Sequence, residues 1–293
     1  MSDQNNLLID AGNSSLKWAL YRRGQLESGS PIAYQLSEDQ SRDSLLASQL
    51  TVSWQSLVGE EYNLQRIIVS NVAGTWIMDA INLWVNVHLG KELSVKDASG
   101  PSIDYVVAQG DAYGVKNAYT QPERLGSDRW ASLIAARHLV QGDCCIIDCG
   151  SALTIDVLLH NGEHMGGTIS PGWWMMKESL VTKTNAISKD NLKGDLTRTP
   201  QFGRNTQEAI DAGVTAACVG AIDHVVQHYQ EETGSNVHCV VTGGDAEKIL
   251  PRLYRNNPNV EFQYEPDWVL KGLAIISDGM TTEKNIDGHG YVK

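Results

Sequence analysis

Hydrophobic positions come in short, regularly punctuated runs. Leu7-Leu8-Ile9 and Trp18-Ala19-Leu20-Tyr21 flank a polar Gly-Asn-Ser turn, and Arg23-Gly24 turns the chain again, which is the pattern of a β-hairpin. Residues 38–62 predict a helix with polar breaks, and RIIVSNVAG (66–74) predicts a compact strand ending in a turn. Over 75–89, Trp76, Ile77, Ala80, Ile81 and Trp84 recur at helical spacing. IDYVVAQ (103–109) predicts another strand, and 110–125 a loop with Gly110, Gly114 and Pro122. SDRWASLIAARHLV (127–140) predicts a strong helix with Ser127 as its N-cap.

The opening pattern then returns. CCIIDCGSALTIDVLLHNGEHMGG is again an apolar strand ending in Asp, a small-residue turn and a second apolar strand. IDAGNSSLKWAL and IDCGSALTIDVL both begin Ile-Asp-x-Gly and both run into a strand. Two widely separated copies indicate duplicated domains rather than a solenoid. GGTISPG (166–172) reads as a Gly/Pro loop, 173–183 as helical and 185–200 as polar loop. A long helical stretch follows at 205–231, then strand, glycine turn and helix over 237–250. VEFQYEP is a last strand and 268–279 a last helix. Strands alternating with helices define an α/β protein.

Composition narrows the function classes. With 42% hydrophobic and 20% charged residues over 293 positions, neither wholesale disorder nor a fibrous repeat is expected. Lys and Arg total 23 against 35 Asp and Glu, a net charge of -12 that repels nucleic acid and anionic lipid, although a local basic pocket can still hold one anion. No run reaches the roughly 20 apolar residues of a membrane span, and the N-terminus lacks the basic and apolar regions of a signal peptide. Cys144, Cys145, Cys149, Cys218 and Cys239 include no C-x-x-C pair. They read as reduced core thiols of a cytoplasmic protein. A metal cluster is a poor second, because adjacent Cys144 and Cys145 point to opposite faces of a strand.

A strand-end Asp followed by a glycine turn suits nucleotide phosphates. The glycine lets the backbone approach, and exposed N–H groups form an anion nest. The carboxylate repels phosphate, so its role is to hold a bridging cation. Lys17 adds fixed positive charge. One such turn alone reads as ordinary turn chemistry. Two in the same context, with a further glycine turn in VTGGDA (241–246), favour the phosphate reading. The P-loop, G-x-G-x-x-G, H-E-x-x-H and G-x-S-x-G patterns are all absent. His138 reads as packing or surface, and Trp173-Trp174 with Met175-Met176 as core or subunit-interface packing.

DAGNSSLK (10–17), LGSDRW (125–130), DCGSALTID (148–156) and GGTISPG (166–172) resemble, in order and spacing, the signature set of type III pantothenate kinases. These belong to the acetate and sugar kinase/Hsp70/actin superfamily. GRNT (203–206) and VTGGDA extend the resemblance over most of the chain. Two positions depart from the family pattern: Ser151 stands where Thr is usual, keeping the hydroxyl, and Leu153 where a smaller or polar residue is frequent.

The resemblance implies an α/β fold of two ribonuclease-H-like, actin-like ATPase domains with a nucleotide cleft. The first domain would be 1–118 and the second 119–293, the last helix packing back on the first. It implies ATP-dependent phosphorylation of pantothenate to 4′-phosphopantothenate in a cytoplasmic homodimer. Asp10, Ala11, Gly12, Asn13, Ser14, Ser15, Leu16, Lys17 and Ser151 would bind ATP phosphates. Tyr119, Gly126, Ser127, Asp128, Arg129 and Thr206 would bind pantothenate, Asp128 also as the base and Arg129 against the substrate carboxylate at a helix start. Asp148 would hold a monovalent cation, K+ or NH4+, and Asp10 would lie on the Mg2+ side. The partners expected are pantothenate and ATP, with neither nucleic acid nor membrane. The rival readings are a sugar-type kinase of the same superfamily and a non-catalytic transcriptional accessory factor. The GSDR segment argues against the first, and intact Asp10, Lys17, Asp128, Arg129 and Asp148 argue against the second.

Overall fold

The computed structural model describes residues 5–34, 41–58, 64–90, 100–184, 187–188 and 201–287. The opening hairpin is β1 (Asn5–Ala11) and β2 (Ser15–Arg22), followed by β3 (Gln25–Ser28) and a short β4 (Ile32–Ala33) on β2. Helix α1 (Arg42–Ser53), β5 (Leu64–Asn71), α2 (Thr75–His88) and β6 (Ser102–Tyr105) complete a sheet of order β3-β2-β1-β5-β6. The apolar face of α2 packs into a core with Leu7, Ile9, Leu46, Leu50, Ile67 and Val69. Trp54 stands edge-on to Trp18 at 6.1 Å and to Trp84 at 4.9 Å, so three of the eight tryptophans form one aromatic chain in this core.

Two short strands follow, β7 (Asp111–Ala112) and β8 (Val115–Lys116), and then α3 (Ser127–Leu139). A second sheet is built from β9 (Cys144–Cys149), β10 (Ala152–Leu158), β11 (His164–Pro171), β12 (His238–Thr242) and β13 (Phe262–Tyr264). Its order is β11-β10-β9-β12-β13. Helices α4 (Trp173–Lys183), α5 (Thr206–Thr233) and α6 (Ala246–Asn256) accompany it, and α7 (Trp268–Asp287) ends the described chain. Both sheets follow one plan. The central strand is antiparallel to its hairpin partner and parallel to a strand that returns after helix. The duplication read from the two Ile-Asp-x-Gly copies is therefore a duplication of topology.

The chain divides into two compact units. One comprises Met1–Tyr113, Thr120–Ala135 and Val269–Lys293, and the other Gly114–Tyr119 and Ala136–Trp268. In the first, Gly272 lets α7 lie against α3, because a Cβ there would meet the Ala131 carbonyl oxygen at 2.0 Å. In the second, Lys177 of α4 is fully buried and donates to Asp211 of α5 at 2.6 Å, with its Nζ 4.3 Å from the Trp173 ring. Trp173 is buried there and its neighbour Trp174 is exposed. By length and composition α5 could cross a bilayer, but Val214, Cys218, Ile222 and Val226 on one face pack into the second core, as in a core helix of a folded domain.

The segment read as a Gly/Pro loop, 166–172, is instead mostly strand β11, paired antiparallel with β10, and other expected elements shift at their ends. The helix expected over 38–62 is α1 plus a 3-10 turn at Gln55–Leu57, with buried Trp54 at the junction; 38–40 and 59–62 lie outside the described residues. The strand expected over 103–109 closes at Tyr105, although the Val106 N–H still bonds the Val69 carbonyl. The loop expected over 110–125 holds β7, β8 and a 3-10 turn at Pro122–Arg124, with proline at its start. The loop expected over 185–200 lies almost wholly outside the described residues.

Candidate active site

The first phosphate motif is the β1–β2 turn. The Gly12 N–H closes it on the Ser15 carbonyl at 3.1 Å, leaving Asn13 and Ser14 exposed at its tip. Ala11 and Leu16 are buried, so only their backbone is on offer to a ligand. Asp10 is half-buried and stands in register with Lys17 on one side and Ser70 of β5 on the other. Directly paired residues share a face, so Lys17, Asp10 and Ser70 form one polar row.

Tyr34 lies beside this row. Its backbone N–H bonds the Ser14 carbonyl at 3.2 Å, and its ring stands edge-on to Trp76 at 4.9 Å. Burial, and then the Asp10 charge, push its hydroxyl well above the ordinary tyrosine range. That proximity of Tyr34 to Asp10 has no signal in the spacing of the sequence.

The row continues into the GSDR segment of the same unit. The Ser127 hydroxyl accepts the Asn71 N–H at 3.0 Å and lies 3.0 Å from the Ser70 hydroxyl. Ser127 is not the N-cap of α3: the Gly126 carbonyl accepts the Trp130 N–H, and the serine hydroxyl is used on β5. This ties the start of α3 to the strand beside Asp10. Asp128 Oδ1 accepts the Arg129 N–H at 2.7 Å and sits over Gly126, where a Cβ would meet it at 2.5 Å. Glycine at 126 thus makes room for the carboxylate. Arg129 is 6% exposed, a guanidinium held largely out of water at a helix start.

The second motif repeats the first. The Gly150 N–H closes the β9–β10 turn on the Ala152 carbonyl at 3.1 Å. Asp148 stands in register with Thr154 and, on the parallel side, Thr242. Gly243 has φ 95°, and a Cβ there would lie 2.4 Å from Asp148 Oδ1. The adjacent Asp245 N–H bonds the Cys149 carbonyl. The VTGGDA turn is therefore folded over the strand-end carboxylate. The Ser151 carbonyl accepts the Gly172 N–H at 2.9 Å, which brings the GGTISPG segment onto this turn. One carboxylate, two in-register hydroxyls and a glycine cradle make an oxygen-rich donor set that fits a hard cation.

Thr206 is the exposed first residue of α5, and Asn205 caps that helix by accepting the Glu208 N–H at 3.0 Å. Tyr119 belongs to the second unit. Its ring stacks on His164 with centroids 6.4 Å apart, and its N–H bonds Asn117 Oδ1. The structure thus gathers Asp10 to Lys17 with Gly126 to Arg129 in one unit, and Tyr119, Asp148, Ser151 and Thr206 in the other. Ser70 and Thr242, which flank the two aspartates, were given no role in the sequence reading, although Thr242 lies within VTGGDA. The five thiols are free and buried, and burial followed by the Asp245 charge pushes Cys218 up to about 11.

The fold is that of the actin-like ATPases. An activator of 2-hydroxyisocaproyl-CoA dehydratase from Clostridium difficile superposes with a TM-score of 0.55 over 99% of this chain and all of its own, at 10% identity. The archaeal actin homologue Ta0583 matches at a TM-score of 0.50 and 11% identity, over 94% of this chain and 100% of its own. Two duplicated sheets, each with a strand-end Asp at a glycine turn, therefore place the protein in this fold class.

The sequence comparisons narrow the class. Residues 6–228 match the type III pantothenate kinase family. The type III pantothenate kinase of Nitrosococcus oceani is 32% identical over 92% of this chain and 93% of its own. That of Janthinobacterium sp. is 31% identical over 92% and 96%. The chain belongs to the type III pantothenate kinase family.

Proposed function

We propose that the chain transfers the γ-phosphoryl group of ATP to the 4′-hydroxyl of pantothenate, giving 4′-phosphopantothenate for coenzyme A biosynthesis. The observation that carries this reading is the family match over 6–228, a span that contains every candidate site residue from Asp10 to Thr206.

Phosphoryl transfer asks the protein mainly for positioning and charge. Asp128, half-buried with its Oδ1 over Gly126, accepts the proton of the attacking hydroxyl. Arg129 and the start of α3 take the pantothenate carboxylate at the opposite end of the substrate. The turn from Gly12 to Ser15, with the Gly12 N–H closing it, and the Ser151 hydroxyl bind ATP phosphates, with Lys17 adding charge. Tyr119 and Thr206 border the pantothenate site.

Asp10 is the carboxylate that would hold Mg2+, which when bound neutralises charge on the transferring phosphates. Asp148 would hold K+ or NH4+, with Thr154 and Thr242 as neighbouring oxygens; the glycine cradle at 243 supports this assignment.

In this reading the domain of 1–118 carries the first phosphate motif and 119–293 the second. The grouping of α7 with the first unit supports a last helix that returns to the first domain. The chain works as a homodimer. Exposed Met165 and Ile169 on edge strand β11, and exposed Trp174 and Met175 on α4, are apolar side chains that suit burial against a second copy. Buried free thiols fit the reducing cytoplasm.

The test is ADP release coupled to pantothenate, with and without potassium, in the wild type and in Asp128→Asn. Pantothenate-dependent turnover is expected, reduced about 10²–10⁴-fold by the substitution, the range for losing a general base. Turnover independent of pantothenate would refute the reading.

A further inference from the structure

Among the described residues, His164 is the one buried histidine, and its side chain is fully enclosed. Each part of the ring is engaged. Nδ1 accepts the Ala118 N–H at 3.4 Å, so the proton resides on Nε2, which donates to Asp156 Oδ1 at 2.9 Å. One face stacks on Tyr119 with the two planes 15° apart. Asp156 is itself only 3% exposed, on β10. A carboxylate there is costly to bury and gains nothing for a strand that packing alone could hold. It makes sense as the group that fixes the tautomer and orientation of the ring.

The segment carrying Tyr119 is laid tightly on the hairpin that carries His164. The Lys116 N–H bonds the Gly162 carbonyl at 2.9 Å, and Lys116 reaches Glu163 at 3.6 Å. Gly162 has φ 90°, and a Cβ there would meet the Gly114 oxygen at 2.0 Å. The backbone is thus pinned at 114–116, and His164 holds the next three residues by one hydrogen bond and one stacked face. Tyr119 is then set at an orientation that its own two side-chain torsions do not dictate.

We propose that Asp156 and His164 form a positioning pair that orients Tyr119 for pantothenate, so that His164 sets affinity for this substrate without touching it. The proposal rests on the reading of Tyr119 as a pantothenate contact.

The experiment measures kcat and the KM of each substrate for His164→Gln, Tyr119→Ala and the double variant. Glutamine can still donate to Asp156 but offers neither the Nδ1 acceptor nor the ring face. His164→Gln is expected to raise the pantothenate KM by about tenfold while the ATP KM and kcat stay within about twofold, the mark of lost binding at one substrate. In the Tyr119→Ala background it is expected to change nothing further, because the two residues act as one unit. If Tyr119→Ala raises the pantothenate KM but His164→Gln does not, or if the two effects multiply, the positioning inference is overturned and the role of Tyr119 stands. If Tyr119→Ala is silent, the contact reading fails and the inference with it. Should His164→Gln not fold, Asp156→Asn replaces it in the same comparison. Asparagine keeps the acceptor but not the charge, and is expected to give a smaller rise in the same single KM.

Discussion

The hydroxyls of Ser70 and Ser127 meet at 3.0 Å, and this contact ties the start of α3 to the strand that runs beside Asp10. Ser127 also takes the Asn71 N–H, so its removal costs the buried Ser70 hydroxyl and the half-buried Asn71 N–H a hydrogen bond each. Ser127→Ala is expected to cost about 1–3 kcal/mol. At about 2–4 °C of Tm per kcal/mol for a protein of this size, calorimetry resolves it. Because the same serine sets the start of α3, kcat is expected to fall more than the ATP KM rises. An unchanged Tm would show that the contact carries no stability.

Gly243 covers the carboxylate of Asp148 more closely than any other residue could. A methyl group there falls 2.4 Å from Asp148 Oδ1, on a backbone with φ 95° that L side chains rarely adopt. Gly243→Ala therefore displaces the Asp148 side chain. Activation by potassium or ammonium is expected to weaken or vanish, with magnesium dependence retained. Titrating both ions against turnover distinguishes this from general inactivation, in which both curves would shrink alike.

Arg129 is expected to read the carboxylate of the substrate. Pantothenol, the alcohol analogue, offers the buried guanidinium no carboxylate charge, a penalty of about 2–5 kcal/mol when one member of a buried charge pair is removed. Arg129→Ala is expected to reduce kcat/KM severely for pantothenate and far less for pantothenol. If the ratio between the two substrates survives the substitution, another group recognises the carboxylate.

Asp143 links stability to pH. Burial raises its carboxyl, but the Tyr229 hydroxyl and the His160 backbone and ring outweigh that, leaving it below its ordinary value of 3.8. A carboxylate depressed in the folded state contributes stability that is fully present above its unfolded value and lost as pH falls through the folded one. Tm is therefore expected to fall below about pH 4. In Asp143→Asn this acid limb is expected to flatten, since asparagine does not titrate. Parallel acid limbs in the two proteins would assign the loss elsewhere.

Most of the fold was legible because each sheet begins with the same signal. A short apolar strand, a terminal Asp and a glycine turn recur in IDAGNSS and IDCGSAL, and hairpins are local enough to be read from adjacent residues. The residues that flank those aspartates on the other side were not legible. Ser70 and Thr242 reach them through parallel pairing, whose register is set by packing of the intervening helices and leaves no fixed spacing. His164 and Asp156 were overlooked for a related reason. On the bare chain they are a histidine and an aspartate in one hairpin, and only the return of residues 114–119 onto that hairpin gives them a task.

The paired rows Lys17–Asp10–Ser70 and Thr154–Asp148–Thr242 carry a hydroxyl at one end and differ in charge at the other: a lysine stands in register with Asp10 and a threonine with Asp148. An ammonium group fixed on the strand is available at any salt composition, whereas with potassium held at Asp148, as proposed above, the rate is expected to answer to the potassium of the surroundings. Thr154→Lys would give the second half the arrangement of the first. Such an enzyme is expected to turn over in sodium-only buffer and to show no response to added potassium.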